Sequence, residues 1–285
     1  MRDYFCGWYF KCQSNENTLA IIPASHCNNG RRLNSIQIIT NDTSRTVFYP
    51  YDALKTEPNG FSIGDSYFGT DGLILRINED DITASGRLVF GPFSRIKYDV
   101  MGPFKYLPFM ECRHSVKSMS HTVGGELTLN DKMYPLGGGR GYIEGDRGRS
   151  FPSRYLWTHT FFEGGSLMLS IAEIPIGAVK FTGIIGVIHY RGREYRLATY
   201  LSARVASIGC DAVIVKQGGS ELSVRVIERN ALPLVAPCLG EMSRTIHESA
   251  CCLAEYTFKI GDKTVFSFLT DKASFELEYP SETLQ

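Results

Sequence analysis

The sequence lacks several features that define common classes of protein. Its 30 Lys and Arg residues are balanced by 30 Asp and Glu residues, so it has no basic excess of the kind that nucleic-acid-binding domains show. No stretch approaches the roughly 18 apolar residues of a membrane-spanning helix, and the amino-terminal segment has no apolar run long enough for a signal peptide. We therefore expect a cytoplasmic protein that binds no nucleic acid and has no transmembrane segment.

Motifs for binding metals and phosphates are also missing. The eight cysteines include no pair at the two-residue spacing of metal and redox sites, and the sequence has no His-x-x-x-His pair. The glycine-rich run at 137–141 lacks the Gly-Lys-Ser/Thr ending of a phosphate-binding loop. We therefore expect free, mostly buried thiols, no metal and no cofactor, and we interpret the glycine-rich run as a turn between strands.

Glycine and aromatic residues are plentiful instead. The chain has 28 Gly, 15 Tyr and 17 Phe, a combination typical of tight turns between aromatic-rich strands. Apolar and polar residues alternate over segments such as 72–77 and 221–227, and turn residues such as Asn130-Asp131 separate these segments. No long segment has the apolar periodicity of a helix. The pattern predicts an all-β protein with very little helix, and 285 residues allow about two domains.

A central segment at about 101–162 differs from the strand-rich halves that flank it. It concentrates Gly, Pro, His, Arg and acidic residues, together with several aromatic residues. Functional residues often lie on such irregular segments when a rigid scaffold holds them. A linker between two domains is the alternative interpretation, but linkers rarely contain this many aromatic residues.

Two carboxylates in this segment are candidates for acid catalysis. Glu144 and Asp146 are two residues apart, so on an extended segment their side chains lie on the same face. Two close carboxylates can hold one proton between them near neutral pH, and apolar surroundings strengthen the effect. A shared proton of this kind would act as a general acid. The alternative is an ion-pair network in which Arg140, Arg147 and Arg149 keep both carboxylates ionised.

The histidines divide into two groups. His114 follows Cys112 at strand spacing, but a cysteine nucleophile needs the two side chains to meet in space, which alternate strand positions do not establish. We therefore expect no cysteine nucleophile. His26, His189 and His247 lie in strand-like or turn-like surroundings, and we expect structural roles for them.

Several segments together form a pattern that covers nearly the whole chain. The specific part is central and consists of Gly102-Pro103-Phe104, Pro108-Phe109-Met110-Glu111-Cys112-Arg113-His114, Ser118-Met119-Ser120-His121 and the run from Gly139 to Pro152. Weaker outer pieces agree with it, at 7–11, 21–23, 170–175, 198–200 and 236–249. This pattern resembles the signature of the tocopherol cyclase-like proteins.

The resemblance implies two lipocalin-like antiparallel β-barrels packed side by side, an architecture shared with carotenoid hydratases. We place the first barrel at 1–138 and the second at 139–285, with the segment 101–162 at their junction. Such enzymes need no cofactor. They protonate an alkene of a prenylated substrate so that a phenolic oxygen closes a ring, whereas a hydratase delivers water to the same cation.

The resemblance also implies a set of site residues. Glu144, Asp146 and His114 would be catalytic, while aromatic faces would stabilise the carbocation and dry walls would exclude stray water. The ligand-binding residues that we expect are Tyr142, Arg149, Phe151, Trp157, His159, Glu111 and Arg147.

The chain departs from the family pattern at two places. Arg147 stands where the family commonly has a tryptophan, and the segment after Trp157 reads Thr158-His159-Thr160-Phe161-Phe162 where the family usually has a Gln and an Asn before His-Phe. Both changes favour an alternative in which the protein binds or carries a lipophilic small molecule without turning it over. In either case we expect transient membrane contact to collect the ligand. A purely structural two-barrel protein is a third hypothesis, and it predicts no enclosed pocket.

Overall fold

The structure is a computed structural model that describes residues 3–107, 110–176 and 179–279. Pro108 and Phe109, which belong to the family-like pattern, lie outside the described residues. The described chain consists of antiparallel strands and three short 3-10 helices, at Tyr51–Ala53, Gly102–Tyr106 and Thr199–Leu201. The prediction of an all-β fold with very little helix is therefore confirmed.

The strands form two large sheets. The first sheet contains β1 (Tyr4–Gln13), β2 (Thr18–Asn28), β3 (Arg31–Thr40), β4 (Ser44–Pro50), β5 (Leu54–Glu57), β6 (Gly60–Ile63), β7 (Ser66–Gly69), β8 (Gly72–Glu79), β9 (Ile82–Phe90), β10 (Cys112–Leu129), β11 (Lys132–Pro135) and β12 (Gly139–Gly148). The second sheet contains β13 (Tyr155–Phe162), β14 (Gly165–Ile176), β15 (Val179–Tyr190), β16 (Arg193–Ala198), β17 (Arg204–Ile208), β18 (Ala212–Gln217), β19 (Ser220–Arg229), β20 (Leu232–Cys238), β21 (Glu241–Ile260) and β22 (Lys263–Glu278).

Both sheets are meanders whose last strand returns to the first. The order of the first sheet is β4-β3-β2-β1-β12-β10-β9-β8-β7-β6-β5, with β11 paired to β10. The order of the second is β16-β15-β14-β13-β22-β21-β19-β18-β17, with β20 paired to β21. In each sheet the closing strand, β12 or β22, therefore lies between the first strand and a long strand, and both of its edges are paired.

Each sheet buries one face against its own hydrophobic core, as strand alternation requires. In the first sheet this face includes Phe10, Ile21, Ile36 and Ile143. In the second sheet the core contains several aromatic rings in contact, including the stacked pair Tyr256 and Phe268 with centroids 5.3 Å apart.

The chain divides into two compact units. Of the described residues, those within 1–95, 112–151 and 234–245 form the first unit, and those within 96–111, 152–233 and 246–285 form the second. This division differs from the boundary at 138/139 that we expected, because β12 pairs with β1 and β10 and therefore belongs to the first sheet. The segment 234–245 also rejoins the first unit from later in the chain.

Two expectations about composition can be compared with the fold. All eight cysteines lie within the described residues and none of them forms a disulfide, although Cys210 and Cys238 are exposed rather than buried. Within the described ranges, no helix has the length and apolar character needed to cross a membrane.

Candidate active site

The candidate site is centred on β12, the closing strand of the first sheet. Ile143 belongs to the hydrophobic core, so alternation places its neighbours Tyr142 and Glu144, and then Asp146, on the opposite face. Across the β10 pairing, His114 is the Cα partner of Asp146 and Val116 is the partner of Glu144. Pairing of these two strands thus brings His114 onto the same face as both carboxylates.

The imidazole of His114 lies between the two carboxylates. Its Nδ1 is 2.9 Å from Asp146 Oδ1, and its Nε2 is 3.1 Å from Glu144 Oε2. The phenol of Tyr142 donates a hydrogen bond of 2.5 Å to the same Glu144 Oε2. The thiol of Cys112 donates to Asp146 Oδ1 at 3.3 Å. The structure therefore joins five polar side chains into one continuous cluster.

Burial increases along this cluster from Asp146 to Tyr142. The side chains of Asp146, His114 and Glu144 are 20%, 10% and 6% exposed, respectively, and Tyr142 is fully buried. Because water screens buried charges poorly, the interactions among these groups are stronger than they would be at the surface. Asp146 and His114 form the more accessible end of the cluster.

Electrostatics determine the protonation of His114 and Tyr142. Burial acts to lower the pKa of the His114 imidazole, but the charges of Asp146 and Glu144, together with the hydrogen bond to Asp146, outweigh burial and raise this pKa well above its usual value. Burial, followed by the charge and hydrogen bond of Glu144, raises the pKa of Tyr142 well above its usual value. At neutral pH the cluster therefore contains an imidazolium and a neutral phenol.

Glycines allow the strands to pack closely around the site. A Cβ atom at Gly145 would lie 2.5 Å from Cε3 of Trp8, so the indole packs directly across the backbone between Glu144 and Asp146. A Cβ at Gly141 would similarly lie 2.2 Å from Nε2 of His121. These two glycines let large rings cover the core face of β12 while its opposite face carries the polar cluster.

Three members of the cluster are potential metal ligands. His114, Glu144 and Asp146 each offer one ligand atom, and these atoms lie within 4.8 Å of one another. A single ion would need one imidazole nitrogen and both carboxylates to converge on one point. Here the carboxylates bracket the ring, because Asp146 faces Nδ1 and Glu144 faces Nε2. The arrangement fits a proton on each nitrogen and does not fit one metal ion.

The other predicted site residues of the first unit lie at or just beyond the end of β12. Arg147 alternates with Asp146 along β12 and is exposed, and Arg149 is also exposed. Phe151 makes an edge contact with Phe5, with centroids 5.4 Å apart. The ion pairs found for both carboxylates are with His114, whereas the proposed alternative assigned that role to arginines.

The remaining predicted residues belong to the second unit. Trp157 and His159 lie buried on β13, and Glu111 is exposed. The Cα partner of Trp157 across the sheet is Glu276 on β22, which in turn is the partner of Glu248 on β21. The acid that the structure places beside Trp157 is therefore Glu276, a residue that the sequence analysis did not single out.

Two acids of the second unit, Glu248 and Glu276, are buried about as deeply as Glu144. Glu248 is 3% and Glu276 is 6% exposed, and the Tyr155 hydroxyl donates a hydrogen bond to Glu276. Glu276 follows Phe275 in an alternating segment, so its sequence pattern is indistinguishable from that of a strand with one solvated face. No local signal identifies it.

Lys11 on β1 is a second residue that sequence reasoning missed. It is 1% exposed and is the Cα partner of Tyr142, so it lies on the same face as the polar cluster. A lysine within the apolar run Trp8-Tyr9-Phe10-Lys11-Cys12 was the available signal, because lysine is almost never fully buried unless it is paired.

Comparison with known proteins supports the fold. No protein-family model and no curated protein match this sequence. Among solved structures, kievitone hydratase from Nectria haematococca has 11% identity and a TM-score of 0.56 over 97% of this chain and 89% of that one. CghA in complex with Sch210972 has 9% identity and a TM-score of 0.63 over 98% and 89%. A protein from Nitrosomonas europaea, NE1406, has 11% identity and a TM-score of 0.58 over 98% and 93%.

These similarities extend over nearly the full length of each chain, so the whole two-sheet architecture is shared with them. At identities this low they establish the fold alone, and function has to be argued from the site.

Proposed function

We propose that this protein is an acid–base catalyst that adds a hydroxyl group, from water or from the substrate itself, across a double bond of a small lipophilic molecule. Such an enzyme is a hydratase or a cyclase, similar to tocopherol cyclase in the type of reaction. The observation that carries the proposal is the position of the His114 imidazole between the carboxylates of Glu144 and Asp146. The Tyr142 hydroxyl donates a hydrogen bond to the Glu144 carboxylate.

The cluster contains the groups that this chemistry needs. Addition of a hydroxyl group requires a proton for one end of the double bond and a base that accepts the proton of the attacking oxygen. A histidine between two carboxylates can give a proton and take one back, because the carboxylates stabilise its charged form. The low exposure of Glu144 and Tyr142 keeps competing water away from that part of the cluster. These residues can complete the cycle without a cofactor.

The fold supports this proposal in a limited way. Kievitone hydratase is by name a hydratase, and it has the same two-sheet architecture. Because one fold can carry several chemistries, the relationship favours the reaction class without identifying the substrate. We further propose that the aromatic residues Tyr142 and Phe151 of the first unit line the path of a lipophilic substrate, with Arg147 and Arg149 as candidate polar contacts.

An assay on purified variants tests the proposal. The protein would be incubated with prenylated phenols and with unsaturated phenolic ketones, and products would be identified by mass spectrometry as a gain of water or as a cyclised isomer. We expect His114→Gln, Glu144→Gln and Asp146→Asn each to reduce turnover at least about 100-fold, as loss of a general acid does. Glu126→Gln, an exposed acid on the same strand β10, should retain turnover.

The carrier hypothesis predicts a different result in the same experiment. A carrier would bind the same compounds, seen as quenching of Trp8 and Trp157 fluorescence, and would release them unchanged. Binding without product, or full turnover in all three site variants, would contradict the catalytic assignment.

A further inference from the structure

We infer that the proton delivered by this site is the one on His114 Nε2, that Asp146 orients the ring through Nδ1, and that Tyr142 is a positioning residue that acts through Glu144. The inference rests on the proposed function and goes further, because it assigns the acid to an imidazolium and not to a carboxylic acid. It also defines the class of substrate that the site can activate.

The Nδ1 side of the ring is firmly held. Nδ1 contacts Asp146 Oδ1 at 2.9 Å with hydrogen-bond geometry, and the two residues are direct cross-strand partners. A carboxylate in this position fixes both the orientation of the ring and the proton on Nδ1. The accessible end of the cluster therefore acts as a support for the imidazole.

The Nε2 side is held differently. Nε2 lies 3.1 Å from Glu144 Oε2, but it has no hydrogen-bond partner of acceptable geometry. The Glu144 oxygen that it faces accepts the 2.5 Å hydrogen bond from Tyr142. The carboxylate thus stabilises the charge of the ring by proximity while its near oxygen is directed toward the phenol.

This asymmetry identifies the proton that can leave. A well-aligned hydrogen bond to a carboxylate retains its proton more strongly than a misaligned contact, because hydrogen-bond strength falls steeply with angle. The Nε2 proton therefore needs less reorganisation to transfer to a substrate atom. After transfer, the ring is neutral at Nε2, still oriented by Asp146, and placed to take a proton from the attacking hydroxyl.

The identity of the acid limits the substrate. The pKa of His114 is raised by its two carboxylates, so the imidazolium is a weak acid and matches an acceptor with appreciable basicity. The carbonyl oxygen of a conjugated enone meets this requirement far better than the carbon of an isolated alkene. The site therefore fits α,β-unsaturated carbonyl compounds better than simple prenyl groups.

The reaction balances without any further reactant. The Nε2–H bond breaks, its electron pair stays on nitrogen, and the proton bonds to the carbonyl oxygen. Water or an internal hydroxyl then attacks the β carbon, and the π electrons move into an enol. The oxygen that attacked gives its proton to Nε2, and the enol collapses to the ketone by returning its hydroxyl proton to the medium and taking one at the α carbon.

NMR of protein with ¹⁵N-labelled histidine tests the proton positions without any substrate. At neutral pH we expect both nitrogens of His114 to be protonated in the wild-type protein. Tyr142→Phe should shift the Nε2 resonance and leave Nδ1 nearly unchanged, since Glu144 Oε2 becomes free to align with Nε2. Asp146→Asn should shift the Nδ1 resonance and leave Nε2 nearly unchanged. Tyr134 is a buried tyrosine on β11, and Tyr134→Phe should change neither resonance.

The wild-type spectrum alone can overturn the inference, so the test does not depend on the folding of any variant. An unprotonated Nε2 at neutral pH would exclude it as the proton donor. Equal shifts of both nitrogens in Tyr142→Phe would show that the phenol supports the site only generally.

Two probes separate this inference from the proposed function. We expect the enzyme to cyclise the ortho-hydroxychalcone whose hydroxyl lies on the ring bonded to the carbonyl carbon, a conjugated enone with an internal hydroxyl, faster than the uncatalysed reaction. We expect it to leave ortho-prenylphenol unchanged. If the enzyme converted ortho-prenylphenol but not ortho-hydroxychalcone, the proposed substrate class would be wrong while acid catalysis would stand. Failure to convert ortho-hydroxychalcone would also overturn it.

Discussion

His114 and Asp146 are direct partners across the β10–β12 pairing, and their side chains make a hydrogen bond of 2.9 Å. The contact therefore depends on the register of two strands that are distant in sequence. A slip of one residue in this pairing would turn His114 to the opposite face of the sheet. The register of β10 and β12 is thus part of the site, and features that fix it have functional consequences.

The raised pKa of His114 predicts a specific dependence of stability on pH. Below about pH 6.5 the imidazole is protonated in both folded and unfolded protein, so its contribution to stability is fully present. As pH rises toward the folded pKa, the unfolded chain loses this proton while the folded protein keeps it, and stability falls. Urea unfolding of the wild type and of His114→Gln at several pH values measures the effect.

The difference in unfolding free energy between these two proteins should shrink as pH rises through the alkaline range. A difference that stays constant with pH would mean that the two carboxylates do not hold a proton on His114 in the folded state.

His121 predicts the opposite dependence. It is buried between Phe90 and Phe93, and burial lowers its pKa to about 4. As the pH is lowered from about 6.5 to about 4, the unfolded chain gains a proton that the folded protein does not. The free energy of unfolding therefore decreases by up to about 3 kcal/mol over this range. Urea unfolding should show that the free energy of unfolding of His121→Gln lacks this decrease at low pH. If the pH dependence of His121→Gln were the same as that of the wild type, the assignment would be contradicted.

The close packing of Trp8 against Gly145 predicts that a larger residue at this position disturbs both the core and the site. In Gly145→Ala the new Cβ would meet Trp8 at 2.5 Å and the Gly7 carbonyl at 3.1 Å, so the indole or the strand has to move, at a cost of about 1 to 3 kcal/mol. In a Trp157→Phe background, the Trp8 emission should shift and the thermal midpoint should fall. Gly137→Ala, where a Cβ meets no atom within 4 Å, is the matched control and should leave both unchanged.

The sequence was sufficient to predict what depends on local pattern. Alternation along the chain predicted the strands, and the two-residue spacing of Glu144 and Asp146 predicted their common face. Their partner, His114, was harder to predict from the sequence. The reason is that β10 and β12 pair with register shifts between Val116 and Ser118 and between Ser118 and His121. Counting residues along an ideal ladder would not have given these shifts.

Arrangements that depend on long-range pairing could not be predicted. Trp157 was expected near Glu144, yet within its own sheet its cross-strand neighbour is Glu276, more than one hundred residues later in the chain. Lys11 lies opposite Tyr142 only because β1 and β12 pair from the two ends of the first unit. Burial of these charged residues follows from sheet order, which local propensity does not specify.

Gln37 predicts how the late segment 234–245 is held to the first unit. Its side-chain amide donates to the carbonyl oxygen of Val235 and accepts from the backbone N–H of the same residue, both at 2.8 Å. One side chain thus replaces a pair of strand hydrogen bonds. Gln37→Met keeps the length of the side chain but leaves both backbone groups of Val235 without these bonds, which costs about 1 to 3 kcal/mol.

Hydrogen–deuterium exchange measures this effect locally. In Gln37→Met we expect faster exchange at Val235 and its neighbours on β20, with little change in β13 to β16 of the second sheet. Thr46→Val is the matched control, because Thr46 bonds the Gln37 side-chain oxygen without touching Val235, and it should have a smaller effect. Equal acceleration in both variants would mean that packing holds the segment, and that the amide contacts add nothing to its stability.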